Sequence, residues 1–206
     1  ILYRTGDFMR KTYFMKSFDL LWKILNFTIL FELLSLMIKL LIFFITKLKS
    51  TTLELDLTTD INFLSNGGHI LRNIAIGLFI VFGLMISKEV IYRVRHDNLL
   101  NFLKSMSGTF KIRRFLTYRE ILKKDDEHPQ VNQTVEKYNR AVNRTVIDIW
   151  NDQLILYLKL PKEYQAQKML KGMEAEIKEE IASAYPDYLI STFEREKNSL
   201  WLKGTR

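Results

Sequence analysis

Two runs of this sequence are apolar over lengths that suit a bilayer: LLWKILNFTILFELLSLMIKLLIFFIT from Leu20 to Thr46, and ILRNIAIGLFIVFGLMIS from Ile70 to Ser87. Wound as helices, each is long enough to cross a hydrocarbon core about 30 Å thick. The first exceeds the ~7–15 apolar residues of a signal peptide, and no small-x-small cleavage site follows Thr46, so a spanning helix is the expected form. Arg72 lies near the start of the second run, where its side chain can snorkel to the headgroups. A chain with two such segments is expected to be an integral membrane protein.

The stretch between them, residues 47–69, is rich in Thr, Ser, Asn and Gly, and Glu54, Asp56 and Asp60 outnumber Lys47 and Lys49. It reads as a short outer loop. Arg4, Arg10, Lys11 and Lys16 precede the first span, while Lys88, Arg93, Arg95 and Lys104 follow the second. Cytoplasmic flanks collect Lys and Arg, so the expected topology is multi-pass in the cell membrane with both termini cytoplasmic.

Glu32 and Lys39 fall within the first span, seven residues and hence two turns apart on one helix face. Charges in hydrocarbon mark helix contacts or polar paths. Two spans with one acid do not build a pore, so this pair is read as an intramembrane contact through which the chain oligomerises with its own copies.

Composition divides the rest. The sequence is 48% hydrophobic yet 26% charged, and the charge lies after Ser87. From Lys88 to Lys124 ten Lys or Arg face three acids, a net of +7, whereas from Asp125 to Arg206 twelve face fourteen, a net of −2. The basic belt of Arg93, Arg95, Lys104, Lys111, Arg113, Arg114, Arg119, Lys123 and Lys124 is therefore a candidate contact surface. Beside a cytoplasmic membrane end, its simplest partner is anionic lipid. The sharper reading is DNA or RNA, since Phe110, Phe115 and Tyr118 interleave the cations as stacking platforms would.

No residue cluster spells out a reaction. Without cysteine the chain has no disulfide, no thiolate metal site and no cysteine nucleophile. His69, His96 and His128 are scattered, and neither G-x-x-x-x-G-K-[ST] nor G-x-G-x-x-G occurs. Asp125, Asp126 and Glu127, followed by His128 and Pro129, read as a solvated loop at a domain boundary. The expectation is a non-catalytic protein without metal or cofactor.

Beyond the spans, Val90, Val94, Leu99, Leu103 and Met106 keep a helical spacing that predicts a helix running on from the membrane, with Gly108 as its stop. The pattern turns to period two at TVIDIW and QLILYLKL, a β-hairpin turning at Asn151 and Asp152, with Leu154, Leu156, Leu158 and Leu160 on one face. Ala166, Leu170, Met173, Ile177, Ile181 and Ala184 predict one amphipathic helix, and a second hairpin turns at Lys197 and Asn198. The expected fold is thus a membrane α-helical hairpin of two spans followed by a small cytoplasmic α+β domain, a β-β-α-β-β antiparallel sheet with one packed helix. The expected divisions are a basic segment 1–19, the spans 20–87, a basic helical connector 88–130 and the α+β domain 131–206.

Two close spans near the N-terminus, the basic YRVRHDNLLNFL, and then DQLILYLKLPKEYQAQKMLKGMEAEI and DYLISTFE resemble the N-terminal membrane region of FtsK/SpoIIIE-type DNA translocases of Gram-positive conjugative elements, the TcpA-like coupling proteins. The resemblance is architectural, runs from about Leu20 to Arg206 and carries no signature motif. It implies a region that anchors and assembles a DNA-transfer machine, with the motor and its phosphate loop lying beyond Arg206. Motor or secretion-complex proteins would be its partners. Beginning at Ile1 and stopping just past a strand, the chain is expected to be either a piece of a longer reading frame or a membrane-anchored accessory. Two readings stand beside this one: a two-span effector or sensor of antiphage nucleotide signalling, and a membrane scaffold for a protein partner.

Overall fold

In a computed structural model of the chain, residues 10–52, 58–118 and 129–206 are described. Two long helices lead, α1 (Tyr13–Thr52) and α2 (Thr58–His96), followed by α3 (Leu99–Leu116) and α4 (Pro129–Val142). Strands β1 (Val146–Ile149) and β2 (Gln153–Lys159) come next. Helices α5 (Tyr164–Gly172) and α6 (Glu174–Ala184) then precede β3 (Leu189–Ile190), β4 (Glu194–Glu196) and β5 (Ser199–Thr205). Contacts divide the described chain into two compact units. One comprises the residues up to Ser17 together with Val90–Arg206; the other is Phe18–Glu89.

The helical unit holds the apolar runs, and the helices Tyr13–Lys47 and Thr58–His96 are long and apolar enough to cross a membrane, each containing an 18-residue stretch whose mean hydropathy is 2.3 in the first and 2.2 in the second. Its packing inverts the pattern of a soluble protein. Small residues make the helix contact: the Ser35 hydroxyl donates to the Gly68 carbonyl at 3.0 Å, and a Cβ on Gly68 would stand 3.2 Å from Cγ2 of Ile38. Ser35 and Ala75 are buried, while Leu30, Leu33, Met37, Phe44, Phe79 and Leu84 are 54–69% exposed. Close approach through small residues, with large apolar side chains turned outward, is how helices pair in lipid.

The second unit is an antiparallel sheet in the order β1-β2-β5-β3, with β4 also paired to β5. Alternation sorts its faces. Ile147, Ile149, Leu154, Leu156, Leu158, Leu200 and Leu202 meet Leu170, Ile177 and Ile181 of α5 and α6 and Tyr138 of α4 in one core. Val146, Asp148, Ile155, Tyr157 and Trp201 fall on the opposite face and are also buried. Phe14, at the start of α1, packs edge-on to Phe102 of α3 with ring centroids 5.6 Å apart.

The structure corrects the expected fold in several places. The single amphipathic helix is two, α5 and α6, divided at Met173, whose N–H turns back to Leu170. Helix α4 lies where no element was expected, and the first strand of the hairpin turning at Lys197 and Asn198 is two short pieces, β3 and β4, each paired with β5. The helix leaving the second run breaks at Asp97–Asn98, where the Asn98 side chain accepts from Leu100 N–H as an N-cap, and α3 then runs through Gly108. Gly108 serves packing instead of termination: a Cβ there would meet Cγ2 of Ile147 at 3.0 Å and the Tyr185 hydroxyl closer still. Of the apolar residues spaced along this stretch, Val94, Leu99 and Leu103 are exposed while Val90 and Met106 are half-buried.

Candidate functional site

Beside the buried Phe102, Ile112 and Leu116, α3 turns a polar row inward. Asn101, Ser105, Thr109 and Arg113 recur every fourth residue, continuing the row begun by Asp97, and they read along the free edge of β1 and the residues flanking it. Ser105 Oγ accepts from Ile149 N–H at 2.8 Å, Thr109 Oγ1 accepts from Ile147 N–H at 3.2 Å, and Arg113 Nε donates to the Thr145 carbonyl at 2.7 Å. Asp97 Oδ1 accepts from Asn151 N–H at 3.0 Å and from Asn101 Nδ2 at 2.9 Å. The match follows from pitch. Four helical residues rise about 6 Å and two strand residues about 6.6 Å, so one helix turn keeps step with alternate residues of an edge. An edge strand whose N–H groups would otherwise pair with another chain is thereby satisfied by side chains.

At the end of this row sits a buried charge cluster. Arg93, in the last turn of α2, has no exposed surface. Its guanidinium donates to Asp97 Oδ2 at 2.9 Å, to the Ile149 carbonyl at 2.6 Å and to Asp148 Oδ1, and it lies 3.9 Å from the Trp150 ring centroid. Thr12, one residue ahead of α1, donates its hydroxyl to Asp148 Oδ2 at 2.6 Å. Burial pushes the Asp148 carboxyl above the usual carboxylate range, against the pull of the Arg93 charge. These donors and acceptors are used up on one another. The cluster is a clamp that ties residues at the domain-side ends of α1 and α2 to one strand, and it presents no group to a substrate.

The expected belt separates into three parts. Arg93 is the centre of the clamp and is inaccessible to lipid or nucleic acid, and Arg113 is half-buried on the β1 edge. Arg95, Lys104, Lys111 and Arg114 are exposed. Arg119, Lys123 and Lys124 lie outside the described residues, as do Asp125, Asp126, Glu127 and His128. The exposed cations of α3 share its outer side with Leu99, Leu100, Leu103, Phe110 and Phe115, so the outward surface is both apolar and positive. Glu32 and Lys39 are exposed on α1. Among the described residues no group of three or more His, Asp or Glu stands close enough to hold a metal ion.

A row of polar residues every fourth position, DNLLNFLKSMSGTFKIR, was the available signal for the clamp and the edge ladder, and apolar periodicity alone looks past it. Comparison with protein-family models, curated proteins and solved structures gives no match.

Proposed function

We propose that this chain is a membrane-anchoring and assembly region, non-catalytic in itself, with two spanning helices, both termini cytoplasmic and a compact α+β domain held at the membrane. The observation that carries this reading is the double grip on Asp148. Thr12, just ahead of α1, and Arg93, in the last turn of α2, bind the two oxygens of one buried carboxylate, so the chain entering the first apolar run and the chain leaving the second are both built into the domain's own fold. A domain merely tethered by a linker would need no such bonds. The outward apolar side chains of the helical unit support lipid as its surroundings.

The larger machine, in this reading, is one for DNA transfer. Its support is the architectural resemblance together with the exposed Arg95, Lys104, Lys111 and Arg114. A scaffold for a protein partner is the second reading, favoured by the exposed Leu99, Leu100 and Leu103 on α3, which DNA would not require. Binding of the full chain, held in nanodiscs of zwitterionic lipid, to duplex and single-stranded DNA across a salt series separates them. DNA transfer calls for affinity that falls steeply with salt, and replacing Lys111 and Arg114 by Gln should flatten the log–log slope by about 1–2. No affinity even at low salt would overturn the DNA part and leave anchoring with a protein partner.

A further inference from the structure

Glu32 and Arg72 are charged, exposed and set in the two apolar runs, and neither makes an ion pair or side-chain hydrogen bond among the described residues. Their placement follows from the Ser35–Gly68 contact. Were α1 and α2 parallel, Thr52 would stand about 25 Å to one side of that contact and Thr58 about 15 Å to the other, farther than the six-residue step between them reaches at about 3.5 Å each. The helices therefore run antiparallel. Glu32 lies about one turn before Ser35, and Arg72 about one turn after Gly68, which brings the two to one level.

They also share a flank. On α1 the partly or fully buried line toward α2 is Thr28, Phe31, Ser35, Ile38 and Ile42; on α2 it is Leu64, Gly68, Leu71, Ala75 and Leu78. Glu32 follows Phe31 by one residue and Arg72 follows Leu71 by one, so each turns about 100° in the same sense from the contact line of its own helix. In antiparallel helices that common sense points both side chains to the same side. Lys39 separates from this pair: about one turn beyond Ser35, it is level with Leu64, within the stretch of α2 that carries Asp60, Asn62, Ser65 and Asn66.

We infer that a second copy of this chain covers the Glu32–Arg72 flank. A twofold axis parallel to the helices sets α1 of each copy against α2 of the other, and so Glu32 of each against Arg72 of its partner, two ion pairs from one self-complementary patch. The charges themselves select this occupant. Ionised side chains within spanning segments face a bundle interior and pair with one another, and lipid offers neither group a counter-charge. The inference rests on the membrane reading above.

Mixing tests it. Alone, the variant Glu32→Arg sets like charges against each other at both contacts, and so does Arg72→Glu; together, one chain of each kind restores both pairs. The full chain, free of cysteine, is given a single thiol by Phe79→Cys on the same flank, and disulfide-linked dimer is scored in membranes by oxidation. The parent should dimerise, each single variant should lose most of that product, and co-expression of the two should raise the mixed dimer about tenfold over either alone, since like-charge contacts cost several kcal/mol. The milder Glu32→Gln and Arg72→Gln, each expected to weaken the parent dimer, guard against failed insertion. Resistance of every variant to carbonate extraction reads out the membrane assignment separately. Chains that stay in the membrane yet do not cross-link, or cross-link regardless of these charges, would overturn the inference. So would a Glu32→Arg/Arg72→Glu double variant that recovers stability while the mixed single variants recover no dimer, which marks the pair as internal to one copy.

Discussion

Arg93 and Asp148 meet with neither side chain exposed, one from the last turn of α2 and the other from the middle of β1. Taking such a pair out of water is costly, and its geometry must repay that cost. Removing one partner leaves the other charge buried alone, so Arg93→Met or Asp148→Leu should each destabilise the domain by about 3–5 kcal/mol. The double replacement should recover much of the loss. Denaturant unfolding of the four chains in detergent checks this, and simply additive losses would show that the two residues stabilise the fold independently.

The α3–β1 edge makes a second expectation. Ser105 and Thr109 hold the N–H groups of Ile149 and Ile147, which no strand among the described residues pairs on that side. Replacing Ser105 by Ala or Thr109 by Val leaves a buried donor unsatisfied, a cost of about 1–3 kcal/mol each. Amide hydrogen exchange should report it locally, with the Ile149 amide speeding up in the first variant and the Ile147 amide in the second. Equal exchange in parent and variants would remove the hydroxyls from the account.

These two features show what was legible in the sequence and what was not. The leucines of β2 announced their core face because a strand buried on a helix layer must place Leu154, Leu156 and Leu158 on one side, and they do lie in the core. The turn at Lys197 was equally readable, and its φ of 50° there is the left-handed conformation of a tight hairpin. Helix α3 misled for a physical reason. The row that meets the β1 edge is made of hydroxyls and amides, Asn101, Ser105 and Thr109, which the apolar spacing of Leu99 and Leu103 does not reveal, and those two leucines lie outside. Arg93 misled likewise: a cation in a basic run reads as surface until Asp148, far along the chain, arrives to bury it.

Tyr138 gives a pH dependence. Its hydroxyl donates to the Leu116 carbonyl at 3.0 Å, and burial, with a smaller contribution from the Glu176 charge, pushes its pKa up to about 12. A phenol whose folded pKa is raised stabilises the fold fully below its unfolded value near 10, and that contribution is lost as pH rises toward about 12. Stability should therefore fall between about pH 10 and 12, and Tyr138→Phe should show a shallower fall. Tyr185 and Tyr188 are shifted the same way by burial, so some slope should persist in the variant. An unchanged pH profile would mean that Tyr138 ionises as freely in the fold as outside it.

The account stands on two helices crossing a membrane with the α+β domain on the cytoplasmic side, and the missing cysteines make that directly measurable. Thr59→Cys, exposed near the start of α2, and Ser199→Cys, at the start of β5, are treated in intact cells with a membrane-impermeant thiol reagent and again after permeabilisation. The account predicts labelling at position 59 before permeabilisation, labelling at position 199 only after it, and both chains in the carbonate-resistant membrane fraction. Labelling at position 199 in intact cells, or release of the chain by carbonate, would contradict it.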